Sequence, residues 1–212
     1  MSLDTTVDTT VDTTVAPQRG RRERIRESRL GTLLVLAVTA AIVMAGAYVL
    51  GRPAAAEAGV QQVTLTGTGS GEPPKIGSPA QDFTGTTVDG KQVSLSSYKG
   101  KVVWLTFGAS WCAACVAEAP DVEAAYQKAK SGGAVVLAVS ISENSETVRD
   151  YSGRAGLTFP TIADPDTRIA SAYRVNGIPA HYFIDKSGVL RSIKSGGLSA
   201  EQMDTAITET SR

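Results

Sequence analysis

Lys101-Val-Val-Trp-Leu-Thr-Phe107, three small residues, then Trp111-Cys-Ala-Ala-Cys115: this stretch decides the fold, and it holds the only two cysteines in 212 residues. The apolar run reads as a buried strand, and a Cys-x-x-Cys pair at a strand-to-helix junction is a thiol pair set to open and close a disulfide. With Cys112 at the N-terminus of a helix, its sulfur faces unpaired backbone N–H groups and the positive end of the helix dipole, which stabilise a thiolate. Cys115, one turn on, sits behind it and can resolve a mixed disulfide formed on Cys112. Two other readings compete. A zinc site wants about four ligands, and only His181 is available to join the two thiols as a soft third. A static structural disulfide is the other, and Trp111 with the apolar strand upstream favours redox chemistry over both.

The formal net charge is zero, but the basic residues are unevenly spread. Six arginines lie between Arg19 and Arg29, whereas from Pro74 onward 14 basic residues balance 14 acidic ones. A domain with no basic surplus has no electrostatic footprint for nucleic acid. The arginine cluster instead precedes Leu30 to Leu50, 21 residues without a charge, long enough as a helix to cross the ~30 Å hydrocarbon core. Positive charge on its N-terminal side keeps that end cytoplasmic and sends the rest across. A cleavable signal peptide is the rival, with Ala54-Ala55-Ala56 as its small-residue site. Residues 1–29, opening with three Asp-Thr-Thr-Val repeats, read as a disordered, basic cytoplasmic tail. Residues 30–50 read as a transmembrane signal anchor, 51–74 as a flexible linker with a short strand at Val60 to Thr66, and 75–212 as the folded domain. That domain is expected outside the cytoplasm, on a single-pass cell-membrane protein.

Within the domain, Phe83 to Val88 and Lys91 to Leu95 flank Asp89-Gly90, a pair suited to a tight hairpin turn. After the cysteines, Val116, Ala119, Val122, Tyr126 and Ala129 recur at helical spacing, with Pro120 expected to kink the helix. Ala134 to Ile141 reads as a parallel strand and Ser145 to Ala155 as a helix. Asp166 is expected to N-cap a short helix through Tyr173. Ala180 to Ile184 and Val189 to Ile193 read as two strands, and Ser199 with Gln202 as the capping box of a final helix.

Several spaced motifs now agree in order: Gly77-Ser-Pro-Ala-Gln-Asp-Phe83, Tyr98-Lys-Gly-Lys101, Trp111 to Cys115 with Glu118 and Pro120, Phe159-Pro160, Asp164, Tyr173-Arg-Val175, Gly177-Ile-Pro179 and Ile184-Asp185. Together they resemble the TlpA/ResA-type membrane-anchored thioredoxin-like proteins over essentially all of Lys75 to Arg212. The resemblance implies an α/β thioredoxin-like fold with an N-terminal β-hairpin addition, here preceded by one transmembrane helix, and an insertion before the C-terminal hairpin. It also implies that Pro179 is cis, lies against the cysteines, and leaves an exposed Ile178 backbone to pair with substrate as an added strand. Where thioredoxins carry a buried Asp six positions before the first cysteine, this chain has Thr106, which cannot serve as a base. Glu118, three residues after Cys115 on the helix, is the candidate replacement. The competing reading makes it an ordinary surface carboxylate, and the lone His181 reads first as a strand-face residue.

The expected function is a membrane-anchored thiol-disulfide oxidoreductase, acting as a reductase of extracytoplasmic protein disulfides, with Cys112 as nucleophile, Cys115 as resolving thiol and Glu118 as proton acceptor. Trp111, Ile178 and Pro179 form the substrate platform, and neither metal nor cofactor is called for. With no third cysteine there is no internal relay, so electrons pass to or from a separate protein; the resemblance implies a membrane thiol transporter, and apocytochrome c is the substrate class to test first. Two alternatives stay open: a copper-binding assembly factor using Cys112, Cys115 and His181, and a thiol peroxidase, although the proline and threonine that typically precede a peroxidatic cysteine are not in place.

Overall fold

The computed structural model describes residues 21–50, 59–69 and 71–212, with side chains in the first segment described for 31–45. The Asp-Thr-Thr-Val repeats and Ala54-Ala55-Ala56 lie outside the described residues. The chain divides into two units, Met1–Ala54 and Ala55–Arg212. The first contains α1 (Arg21–Leu50), whose side chains from 31 to 45 are all exposed. Among the described residues no helix is long and apolar enough to cross a membrane.

The second unit is built on β4 (Val103–Gly108), the strand read from the sequence, of which all but the last residue is buried. Such a run lacks a polar face because protein covers both sides. The helix after it, α2 (Ala113–Ala129), is the crossover that brings β5 (Val135–Ile141) parallel to β4. A second crossover, α3 (Ser145–Ala155), places β6 (Thr161–Asp164) parallel to β5 at the sheet edge. On the other side β8 (Ala180–Ile184) and β9 (Leu190–Ser195) run antiparallel, giving the order β6-β5-β4-β8-β9. α5 (Ala200–Thr210) closes the chain with both halves of the expected capping box formed by Ser199 and Gln202.

Residue parity along β4 divides the core. Leu105 and Phe107 face a cluster with Leu137, Ile141, Tyr173 and Tyr182, which also takes in both cysteines. Trp104 points the other way, toward Val122 of α2 and Met203 and Ile207 of α5. The expected N-terminal hairpin is present as β2 (Thr84–Thr86) and β3 (Gln92–Ser94), with Gly90 at φ 86° in the turn, the left-handed geometry that favours glycine. The expected short strand is narrower than Val60 to Thr66: β1 (Gln61–Gln62) pairs with β7 (Gly177–Ile178). Part of the stretch read as linker therefore packs onto the domain.

Two local readings need correction. Asp166 does not cap α4 (Arg168–Ala172): Thr167 occupies the N-cap position, and its side chain makes no capping bond to the helix. The carboxylate of Asp164, buried at the end of β6, accepts from the amides of Ile169 at 3.3 Å and Ala170 at 2.9 Å. A group already desolvated against the helix end serves those donors with no rival from water, whereas Asp166 is exposed. In α2, Val116 is 44% exposed and Ala125 takes a core place instead, because the buried stripe of α2 runs through Cys115, Glu118, Ala119 and Val122. Helical conformation continues through Pro120 to Ala129.

Candidate active site

Where β4 ends, Cys112 takes the N-cap position of α2 in extended conformation, φ −86° and ψ 108°. Its sulfur accepts the amide of Cys115 at 3.2 Å. This is the helix-end geometry expected to favour a thiolate there. Cys112 and Cys115 are joined in a disulfide, Cα to Cα 5.2 Å. Both are buried, Cys112 at 1% exposure. Trp111, by contrast, is 50% exposed, an indole presented beside the disulfide.

Glu118 is not a surface carboxylate. Its side chain is 8% exposed, and Oε2 accepts the Leu198 amide at 3.1 Å and lies 3.6 Å from His181 Nε2. It lines one cavity of about 50 Å³ together with Cys115, Thr106, Ser140 and Tyr151, a mostly apolar space large enough for a water molecule that both the thiol and the carboxylate border. The elements explain the convergence: Glu118 is one turn beyond Cys115 on the buried stripe of α2, and β8 lies beside β4 with His181 opposite Thr106.

His181 is fully buried. The indole N–H of Trp104 donates to its Nδ1 at 3.3 Å, and the Thr106 hydroxyl lies 3.0 Å from the same atom. An indole only donates, so Nδ1 is an acceptor and the proton of the neutral ring belongs on Nε2, aimed at Glu118. Among the described residues Nε2 has no hydrogen-bond partner. The position where thioredoxins carry their buried Asp thus holds Thr106 orienting an imidazole toward a carboxylate that enters from α2. His181 faces Glu118 and not the sulfurs, so the Cys112, Cys115 and His181 donor set considered for copper is not assembled. Among the described residues no group of three or more His, Cys, Asp or Glu side chains is placed to hold a metal ion.

Another buried carboxylate near the disulfide loop, Glu143, escaped the sequence reading. It accepts the Ser110 amide at 3.0 Å, the Ser110 hydroxyl, and the Ser140 hydroxyl at 2.7 Å. It thereby clamps the loop that carries Trp111 and Cys112. Its one sequence signal is its place just past the C-terminal end of a parallel strand, where α/β sheets gather functional groups. Burial first, then the charges of Glu118 and Glu143, push the Tyr151 phenol above its ordinary value.

Pro179 is cis after Ile178, as the resemblance implied. The expectation of an exposed Ile178 backbone is corrected: Ile178 is 0% exposed, and β1 of the same chain lies along it.

Comparison with known proteins agrees with this geometry. The AhpC/TSA family model matches residues 76–193. The thiol-disulfide oxidoreductase ResA of Geobacillus kaustophilus (strain HTA426) is 36% identical over 129 residues, 61% of this chain and 74% of that one. ResA of Bacillus subtilis (strain 168) is 32% identical over 123 residues, 58% and 69% of the two chains. Among solved structures, a thiol:disulfide interchange protein of the thioredoxin family from Chlorobium tepidum TLS superposes with TM-score 0.58 at 28% identity, covering 66% of this chain and 98% of that one. StoA from Bacillus subtilis gives 0.53 at 27%, covering 60% and 96%.

Proposed function

The chain belongs to the AhpC/TSA family, in a ResA/TlpA-like thioredoxin-like group, and from that premise we propose how and where its Cys-x-x-Cys works. It is a thiol-disulfide oxidoreductase. We read it as a reductase of protein disulfides outside the cytoplasm, held to the membrane by α1 and recharged by a separate membrane dithiol protein. The observation that carries the reading is the Cys112–Cys115 disulfide at the N-terminus of α2, with Glu118 buried one turn behind.

In the reduced enzyme, the Cys112 thiolate attacks one sulfur of a substrate disulfide; a Cys112–substrate disulfide forms and the other substrate sulfur leaves as thiolate. Cys115 then gives its proton to Glu118, directly or through water in the shared cavity, and attacks the Cys112 sulfur. The second substrate thiolate leaves, and two electrons have passed from the enzyme dithiol to the substrate. His181 holds its Nε2–H toward Glu118 throughout and opposes the carboxylate charge. Trp111 and the edge at Ile178 and Pro179, which β1 covers in the resting molecule, form the platform for the polypeptide around the substrate cysteine. Two cysteines in the whole chain leave reduction of the resting disulfide to a partner dithiol. Apocytochrome c, whose haem-attachment cysteines need reducing, is the substrate we would test first.

The membrane reading rests on sequence and on α1. Leu30 to Leu50 carries no charge behind six arginines, and its described apolar side chains are unpartnered, Leu34 at 66% and Ile42 at 65% exposure. The Thr39 hydroxyl is satisfied within the helix by the Val35 carbonyl at 2.6 Å, as an apolar solvent requires.

The roles of the two thiols are separated by trapping. Cys115→Ser should accumulate mixed disulfides with substrate proteins, because attack by Cys112 survives and resolution does not. Cys112→Ser should trap few. Equal trapping by the two variants would overturn the assignment.

A further inference from the structure

The edge assigned above to substrate is occupied by the chain itself. Gln61 lies opposite Ile178 and Gln62 opposite Gly177 in antiparallel register, and the Val63 amide donates to the Asn176 carbonyl at 3.2 Å. From Gln62 to Gly69 the residues alternate between exposed and half-buried, the period of an extended strand laid on a surface. Its inward side chains Val63 and Leu65 pack on the cluster that contains Cys112, Cys115 and Ile178. Gly177 has no Cβ, and one built there would collide with Val60.

Downstream the same segment is latched. The amides of Thr66 and Gly67 both donate to the Thr167 hydroxyl at 2.9 Å, and the Ser171 hydroxyl donates to the Gly67 carbonyl at 2.8 Å. Thr167 is fully buried at φ 53°, a left-handed conformation that is unfavourable for a β-branched residue. The cost is borne where its hydroxyl meets two backbone donors. A Cβ at Gly67 would meet the Asp166 and Thr167 carbonyls at 2.7 and 2.9 Å, so the segment's close approach depends on glycine.

The register runs the segment from Val63 back through Gln61 toward Pro179. One row of edge hydrogen bonds accepts one strand. We infer that residues 60–63 are an intramolecular strand that closes the substrate edge. An extended protein substrate displaces them before its sulfur reaches Cys112, while Thr66, Gly67 and Gly71 stay latched on Thr167, Ser171 and Arg174. The burial of Cys112 in the resting molecule agrees with a closed edge. The inference rests on the reading of Gly177–Ile178 as the edge to which substrate adds.

The test uses the full chain carrying Cys115→Ser, reduced, and an extended peptide whose single cysteine is disulfide-bonded to thionitrobenzoate. The Cys112 thiolate attacks the peptide sulfur, thionitrobenzoate leaves as thiolate, and the adduct is trapped. Amide hydrogen exchange before and after should show the Gln61 and Val63 amides exchanging at least ~10-fold faster in the adduct, with peptide amides beside the cysteine newly protected. Protected peptide amides alongside unchanged Gln61 and Val63 amides would overturn the inference alone. Peptide amides that gain no protection would remove the strand-edge reading beneath it as well. Val63→Pro, which deletes the amide bonded to Asn176, gives an independent readout in the otherwise unaltered chain. KM for a peptide disulfide should fall about 3- to 10-fold while reduction of the enzyme by dithiothreitol, which needs no strand, keeps its rate; an unchanged or higher KM counts against the closed edge.

Discussion

Glu118 is a buried carboxylate whose partners are one amide and one imidazole, with no lysine or arginine within ion-pair distance among the described residues. Burying a charge on such terms costs free energy, and its place beside the resolving thiol on a shared cavity supplies the reason to hold it there. Glu118→Gln keeps the size and the Leu198 contact and removes the basicity. Resolution of the mixed disulfide should slow by roughly 10² near neutral pH, the loss expected for a general base. The two rates should converge at alkaline pH, where hydroxide can take the Cys115 proton without Glu118. Single-turnover release of substrate thiol from pH 5 to 10 checks both; superimposable profiles would leave solvent as the base. The oxidised variant should be at least as stable as the parent in urea.

At the scale of the element, the turn between β8 and β9 is organised by Asp185. Its carboxylate accepts the amides of Ser187 and Val189 at 2.9 Å and the Arg191 Nε at 2.6 Å. Burial pushes its pKa up, but the Ser187 hydroxyl, the two amides and Arg191 outweigh burial and bring it down to about 2. A depressed carboxylate pKa stabilises the fold above the unfolded value, here near 3.8, and that contribution is lost as pH falls through the folded value. Asp185→Asn should therefore lower stability by about 1–2 kcal/mol at pH 7. The gap between variant and parent should close as pH drops from ~4 toward ~2; denaturant melts at pH 7, 4 and 2.5 measure it. α4 teaches the complementary lesson. Asp164 and Asp166 offer the same functional group two residues apart, and burial of Asp164 against the helix end decides between them.

For the whole molecule, the proposal of a membrane anchor on the first unit and a redox domain in the second makes a topology prediction. The full chain should stay in the membrane fraction after carbonate washing, and a reporter fused after Arg212 should be active only outside the cytoplasm. Release of a fragment beginning near Glu57 would show a cleaved signal instead.

The sequence by itself determined what is local. A buried strand followed by Cys112 and Cys115, a hairpin at Asp89-Gly90, the presence of a helix after the cysteines, and the capping box at Ser199 each depend on residues close to one another in the chain. Short-range sterics and hydrogen bonding settle such features. Glu118 was legible as a candidate for the same reason, since three residues on a helix place it beside Cys115. The tertiary structure decided which distant groups meet. The Leu198 amide reaches Glu118 across 80 residues, and the Ser110 amide reaches Glu143 across 33. His181 turns toward Glu118 because β8 pairs with β4 in a register that sets it opposite Thr106, and Gln61 covers Ile178 because β1 pairs with β7 beside Pro179. Periodicity tells a residue which face it occupies. Strand order and register decide what stands across from it, and they are fixed by the packing of the entire sheet.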